Sequence, residues 1–314
     1  MNGLVQTAGQ MLRQYEYLAD AVQGGDFSAV VYRGDADGGD ENALNRRRLL
    51  AVMRMIRTEL ITEENVARLF CAETESAAHS AYGGYSSVLT ALAALLWQFN
   101  GDGRYDALFE AAKHANADCE AGFSTARGYY HARTGEAYLQ YLEGLTPAEC
   151  VRYMYDDMGL TEGLEPLLDR IEREYAEDID ELSKICVLNA ELGRKSHNAA
   201  YYRLRIAAAV READEWDAAS AHCDLAECLM DTDPETAFAS FTAGLPYLYH
   251  DGDWYIYNLG RDYIALAAQF IVRMPQRRTA LWAEWAPHIR KCCRSQHSAI
   301  CKAAVKLMND PASE

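Results

Sequence analysis

The sequence predicts an all-α protein: a right-handed α-solenoid of helical hairpins over residues 178–314, preceded by an irregular α-helical region over 1–177. Three observations carry that prediction. Nearly every segment places apolar residues at helical spacing. Only "FSAVVY" at 27–32 reads as a strand, and a lone strand cannot make a sheet. A helix–breaker–helix pattern recurs in the C-terminal half, with first helices starting near Ile179, Trp216 and Asp253, a spacing of 37 and 37 residues. At such a period each hairpin leaves an apolar face that only a neighbouring hairpin can cover.

The elements follow in chain order. In "NRRRLLAVMRMIRTEL", Leu49, Met53, Ile56 and Leu60 recur at i, i+4, i+7 and i+11, with Arg47, Arg54 and Arg57 largely off that stripe. The pattern predicts an amphipathic helix with a basic outer face. "TEENVARLF" starts with Thr62 as N-cap and acids in the first turn, where the helix dipole favours them. Segments 86–99 and 104–120 read as two helices separated by "NGDG", a strong stop signal. "LTPAEC" opens another helix, with Thr146 as cap and Pro147 at the first helical position. "RGDADGGDEN" reads as a loop. Its Asp35 and Asp37 suggest calcium, but an EF-hand starting at Asp35 needs Gly sixth and a carboxylate twelfth. Those positions hold Asp40 and Arg46, so no calcium is expected.

In the repeating half, the breakers "GRKSHN", "DTD" and "MPQ" are followed by second helices starting near Ala199, Pro234 and Arg277. Here the residues resemble the tetratricopeptide repeat family. "YNLGRDYIAL" places Leu259, Gly260 and Tyr263 on the family's Leu-Gly-x-x-Tyr positions, and "LAEC" places Leu225 and Ala226 on the first two. Second helices resemble the Ala-x-x-x-Phe-x-x-Ala pattern through Ala237, Phe241 and Gly244, and through Ala200, Leu204 and Ala207. The period exceeds the family's, its closing Pro is missing, and Ala280 is followed four residues on by Glu284 rather than an aromatic. The resemblance implies a protein-interaction scaffold. It supplies no catalytic residues and names no ligand.

Composition narrows the function classes. The chain has 314 residues, half of them hydrophobic and a quarter charged, which is globular rather than disordered. Its net charge of -17 disfavours general nucleic-acid binding. The charge is uneven: 156–181 holds eleven acids against Arg170 and Arg173, while 271–308 holds eight bases against Glu284. The acidic middle therefore suits a partner with a basic surface, or packs on the chain's own basic segment. The longest apolar-dominated run, "VLTALAALLW", is half of the ~20 residues a membrane span needs. The N-terminus lacks a secretory pattern, and nine cysteines scattered through helical patterns read as reduced thiols acting as small hydrophobes. A cytoplasmic location is the expectation.

Candidate chemistry is sparse. In "RKCCRSQHSAICKAAVK", Cys293, His297 and Cys301 lie at i, i+4 and i+8. On a straight helix the outer two stand about 12 Å apart at ~1.5 Å per residue, too far to share a zinc with ligands at ~2.0–2.3 Å. His288 and Cys292 form a second i, i+4 pair on a neighbouring face. The segment is expected to be a packed capping helix, with Ala299, Ile300, Ala303 and Ala304 inward and Arg294, Lys302 and Lys306 outward. No metal and no cofactor are predicted. Asp156 and Asp157 are adjacent and diverge by about 100 degrees on a helix, so they make no dyad by themselves. They are nevertheless the acids of the alternative reading, an α/α-toroid enzyme with carboxylates in a central cavity. No catalytic residue is predicted.

The favoured reading rests on aromatics. There are 20 Tyr and 5 Trp, and Tyr and Arg suit binding surfaces because they combine contact area with a polar end. A peptide groove is expected to be lined by Asn198, Tyr202 and Arg205 from one hairpin and Tyr257, Asn258 and Arg261 from another. Asn258 and Arg261, three apart on a helix, would face it together and bind a peptide backbone or carboxylate. The partner is then a protein or peptide. The oligomeric state stays open.

Overall fold

The computed structural model describes residues 2–35, 39–80, 83–250, 252–293 and 298–309. Among them are seventeen α-helices and no strand. The strand-like run at 27–32 forms turns: the N–H groups of Val30 and Val31 both donate to the Phe27 carbonyl. Phe27 and Val30 are buried, so this run plugs the core rather than pairing with another strand. The chain divides into two compact units, Met1–Ile171 and Glu172–Glu314.

Unit 1 contains α1 (Asn2–Arg13), α2 (Glu16–Gln23), α3 (Ala43–Met55), α4 (Glu63–His79), α5 (Ser87–Leu96), α6 (Asp106–Lys113), α7 (Ala117–Gly122), α8 (Gly135–Glu143) and α9 (Pro147–Asp156). The boundary falls inside α10 (Glu165–Glu174). Thr62 caps α4 by accepting from the Asn65 N–H, and Thr146 and Glu149 cap α9 reciprocally, with Pro147 at its first position. The segment 104–120 is two helices instead of one. Asn116 breaks it: its Oδ1 accepts from the Cys119 N–H, and its Nδ2 donates to the carbonyls of Ala77 and Gly84. The apolar run in α5 is a core helix, with Val88, Leu89, Leu92, Leu95 and Leu96 all buried.

The basic outer face expected on α3 does not form. This helix packs against α1, α2, α4, α5 and α8, so partners cover more than its apolar stripe. Arg46 is fully buried. Its Nε donates to Glu73 at 2.7 Å, one terminal nitrogen to Asp40 at 2.5 Å and the other to the Val30 carbonyl at 3.3 Å. The second oxygen of Glu73 accepts from Ser86 Oγ, which also caps α5. Burial works against the Arg46 charge, but Glu73 and Asp40 outweigh it and hold the guanidinium pKa above its ordinary value. Burial also pushes Asp40 up, and bonds from Arg46 and the Arg33 N–H overcome it, leaving that carboxyl below its ordinary range. Arg54, also buried, lies 4.0 Å over the Tyr138 ring and donates to the Arg133 carbonyl. Two acids of the 33–42 loop are engaged internally: Asp35 accepts from the Gly39 N–H, and Asp40 from Arg33, Asn42 and Arg46. Asp37 lies outside the described residues.

Unit 2 contains α11 (Ile179–Glu191), α12 (Ala199–Glu212), α13 (Glu215–Leu229), α14 (Pro234–Leu248), α15 (Asn258–Arg273), α16 (Arg278–Cys292) and α17 (Ser298–Asn309). Consecutive helices from α11 to α17 pack in chain order, and α13 also packs on α15. The even period is not kept: 179 to 215 is 36 residues and 215 to 258 is 43. The longer step arises because Trp254–Ile256 form a short 3-10 turn before α15 begins.

Small residues decide where these helices meet. A Cβ on Gly244 would stand 1.9 Å from the Tyr263 hydroxyl, so only glycine admits that ring. Tyr263 is fully buried and donates to the Ala219 carbonyl at 2.8 Å, which ties α15 to α13. Phe241 sits against Tyr263, Phe270 and Trp285 with ring centroids 5.3–5.6 Å apart. Ala237 is fully buried in the same cluster. Ala237→Trp should therefore overpack the core and cost at least about 1–3 kcal/mol, read as a lowered thermal midpoint. An unchanged midpoint would contradict this packing. In α12 the register differs from expectation. Ala200 and Ala207 are exposed, while Ala199 and Ala209 are buried with Tyr202 and Ile206 between them, a stripe at i, i+3, i+7 and i+10.

The helix α17 packs on α15 and α16. Cys301 and Ala304 are buried with Ile300 partly so, and Lys302 and Lys306 face out as expected. Ala299 and Ala303 are exposed rather than inward. Arg294 and His297 lie outside the described residues. Part of the basic segment pairs with acids near the α13–α14 connection, Arg273 with Asp231 and Arg277 with Glu235.

Candidate binding surface

Two chain reversals in unit 2 build an exposed aromatic surface. The first separates α12 from α13. Ala213 adopts a left-handed conformation (φ 57°), the backbone form that commonly ends helices. Asp214 then caps α13 by accepting from the Asp217 N–H at 2.9 Å. This places Trp216 in the first turn with 45% of its surface exposed. The second reversal joins α14 to α15. Trp254 is buried against Trp285, with ring centroids 5.6 Å apart. Gly260 allows the Trp254 carbonyl to approach so closely that a Cβ there would stand 2.1 Å away. With Trp254 anchored inward, Tyr255, Ile256 and Tyr257 are held outward at 36%, 52% and 42% exposure. The two reversals meet: the Trp216 and Tyr257 rings pack edge to face, centroids 5.5 Å apart. Tyr255 extends the surface toward α16, where Lys291 lies over its ring.

The six residues expected to line a groove are distributed as follows. Tyr257, Asn258 and Arg261 are exposed at the start of α15, Tyr257 inside the aromatic surface and the other two beside it in sequence. Asn198 is buried; its Oδ1 accepts from Asn189 Nδ2 and its Nδ2 donates to the Cys186 carbonyl, so its amide ties α11 to α12. Tyr202 is half-buried against the core. Burial, then Asp224, pushes its hydroxyl pKa up. Arg205 donates to Asp217 at 2.9 Å, to Asp224 at 2.8 Å and to Ser220 at 3.2 Å. Burial raises the Asp224 pKa, and Arg205 partly opposes it. Asn198 and Arg205 therefore hold helices together, whereas Tyr257, Asn258 and Arg261 are exposed. Trp216 and Ile256 belong to the surface and were not singled out by the sequence as binding residues. The available signal was a tryptophan among acids in "READEWD", where a solvated helix start has no need of one.

The adjacent acids of unit 1 have different surroundings. Asp156 is exposed and paired with Arg152 at 3.1 Å. Asp157 is half-buried at the end of α9. Burial raises its pKa above 3.8, opposed chiefly by a hydrogen bond with Ser87. A carboxyl with a raised folded-state pKa costs stability once ionised. That cost is absent below the unfolded value, grows as pH rises through the folded value and is complete above it. Asp157→Asn should therefore raise the thermal midpoint relative to wild type at neutral pH, and the gain should vanish in acid. A pH series of melts with no such trend would refute this.

The thiols are mostly inward. Cys292 and Cys301 are buried in the unit 2 core, and burial pushes the Cys301 thiol up to about 12. Cys223 and Cys228 are buried in α13, and burial pushes Cys228 up to about 11. The raised pKa values of Cys223, Cys228 and Cys301 make these thiols poor nucleophiles.

No protein-family model, curated protein or solved structure matches this chain. Among the described residues, no helix is long and apolar enough to cross a membrane.

Proposed function

We propose that unit 2 is a tetratricopeptide-like helical-repeat module that binds a protein or peptide, acting as a scaffold, sensor or inhibitor in the cytoplasm. One observation carries this reading. Trp216, Tyr255, Ile256 and Tyr257 form a contiguous exposed surface held in place by a buried tryptophan and a capped helix start. Exposed aromatics scattered singly are ordinary, but a preorganised cluster marks an interaction site. The α13–α15 packing and the Gly244–Tyr263 approach support the stacked-hairpin arrangement that such modules use. Buried thiols used as apolar filling are consistent with a reducing compartment.

The test is capture from native lysate at low and moderate salt, comparing wild type with Trp216→Ala/Tyr257→Ala. Both side chains are exposed, so the variant should keep its circular dichroism and melt. A partner retained by wild type and lost by the variant is the expected result. Identical capture profiles would end the reading.

A further inference from the structure

We infer that the Trp216–Tyr257 surface binds a cationic peptide segment, one that presents an arginine or lysine to the paired rings. The inference rests on the binding role proposed above and names the partner's chemistry. Two observations select it. The first is geometric: an exposed indole and an exposed phenol meet edge to face at 5.5 Å, leaving ring surface open to solvent. Aromatic faces attract cations, tryptophan most strongly. The second is charge complementarity. Within residues 211–217 Trp216 stands among Glu212, Asp214, Glu215 and Asp217, against Arg211 alone.

The neighbouring charges are accounted for. Arg205 binds Asp217 from α12, Arg211 pairs with Glu212 at 3.5 Å, and His250 meets Glu215 at 2.8 Å. Arg261 is exposed on α15, Lys291 from α16 lies over Tyr255 rather than Trp216, and the Tyr255 hydroxyl donates to exposed Asp253 at 3.3 Å. Arg205 also binds Asp224, so acids outnumber cations around Trp216, whereas at Tyr255 Lys291 and Asp253 offset one another. A peptide would place its positive side chain at Trp216 and Tyr257 and run its apolar part over Ile256 toward Tyr255. The chain's net charge of -17 steers such a segment from a distance.

The experiment uses the full chain and fluorescently labelled short peptides read by anisotropy. One peptide carries arginine beside an apolar residue. A second replaces arginine with citrulline, which keeps the shape and removes the charge. A third replaces it with glutamate. The arginine peptide should bind wild type, weaken with salt, and lose at least about tenfold in affinity both on citrulline replacement and in Trp216→Ala/Tyr257→Ala. The glutamate peptide should bind more weakly still. Glu212→Gln/Glu215→Gln should weaken the arginine peptide and leave the citrulline peptide unaffected. Equal binding of arginine and citrulline peptides, both lost in the aromatic variant, would overturn the cationic inference while leaving an apolar docking surface. Arginine-peptide binding that survives the aromatic variant would overturn it as non-specific charge attraction. Absence of arginine-peptide binding would overturn it as well. Failure of the wider reading shows separately, as lysate capture that the aromatic variant does not change.

Discussion

Arg46→Ala should destabilise unit 1 by about 3–5 kcal/mol, the range for removing one member of a buried charge network. Arg46, Asp40 and Glu73 have side chains 0%, 5% and 6% exposed. Deleting the guanidinium would leave two carboxylates without their cation where water cannot replace it. The effect should exceed a lone pair's, because the same arginine reaches the Val30 carbonyl and its partner Glu73 receives the Ser86 hydroxyl. The turn at 27–32, α3, α4 and the start of α5 would loosen together. Arg152→Ala supplies the contrast. Its bridge to Asp156 is half-exposed, with side chains 55% and 49% accessible, and surface pairs are worth about 0–1 kcal/mol. Denaturant unfolding of both variants checks the prediction. Similar, small losses would show that Arg46 is not the hub its contacts describe.

Gly260→Ala should be severe in unit 2. The added methyl would stand 2.1 Å from the Trp254 carbonyl oxygen and 2.8 Å from its carbon, both backbone atoms that cannot rotate aside. Relief requires moving the 3-10 turn off the start of α15, which would unseat Trp254 from Trp285. The cost should reach or exceed the upper end of about 1–3 kcal/mol for overpacking. The exposure of Tyr255, Ile256 and Tyr257 should change with it, so peptide binding and stability fall together. Gly9→Ala is the control. Gly9 lies inside α1, and a methyl group added there would meet nothing within 4 Å, so alanine should stabilise by about 0.5–1 kcal/mol. If Gly260→Ala melted like wild type, the close approach of Trp254 would be excluded.

Much of the fold was legible in the sequence. Thr62 and Thr146 were readable as caps because a capping bond spans only three residues. The starts of α12 and α14 followed from breakers immediately before them. Leu259, Gly260 and Tyr263 were readable as a packing motif, and the structure supplies its reason: Gly260 admits the Trp254 carbonyl, while Tyr263 fills the space opposite Gly244. Of the residues expected to line a groove, Tyr257, Asn258 and Arg261 reach the surface.

By itself, then, the sequence determined that helices form, that Thr62 and Thr146 cap two of them, and that Ala237, Gly244 and Gly260 lie at close contacts. These are local properties, set by neighbours within a turn or two. The tertiary structure alone decided which faces are covered. Arg46 sits on a helix whose other residues announce a solvated basic face, yet its partner Glu73 comes from 27 residues away. Arg205 looked like a groove residue until Asp217 and Asp224 of the following helix engaged it. Trp216 became part of a surface only when Tyr257, from another hairpin, met its ring. In each case the same side chain has a stable inward and a stable outward use. The choice between them depends on partners far along the chain, which helical periodicity does not encode.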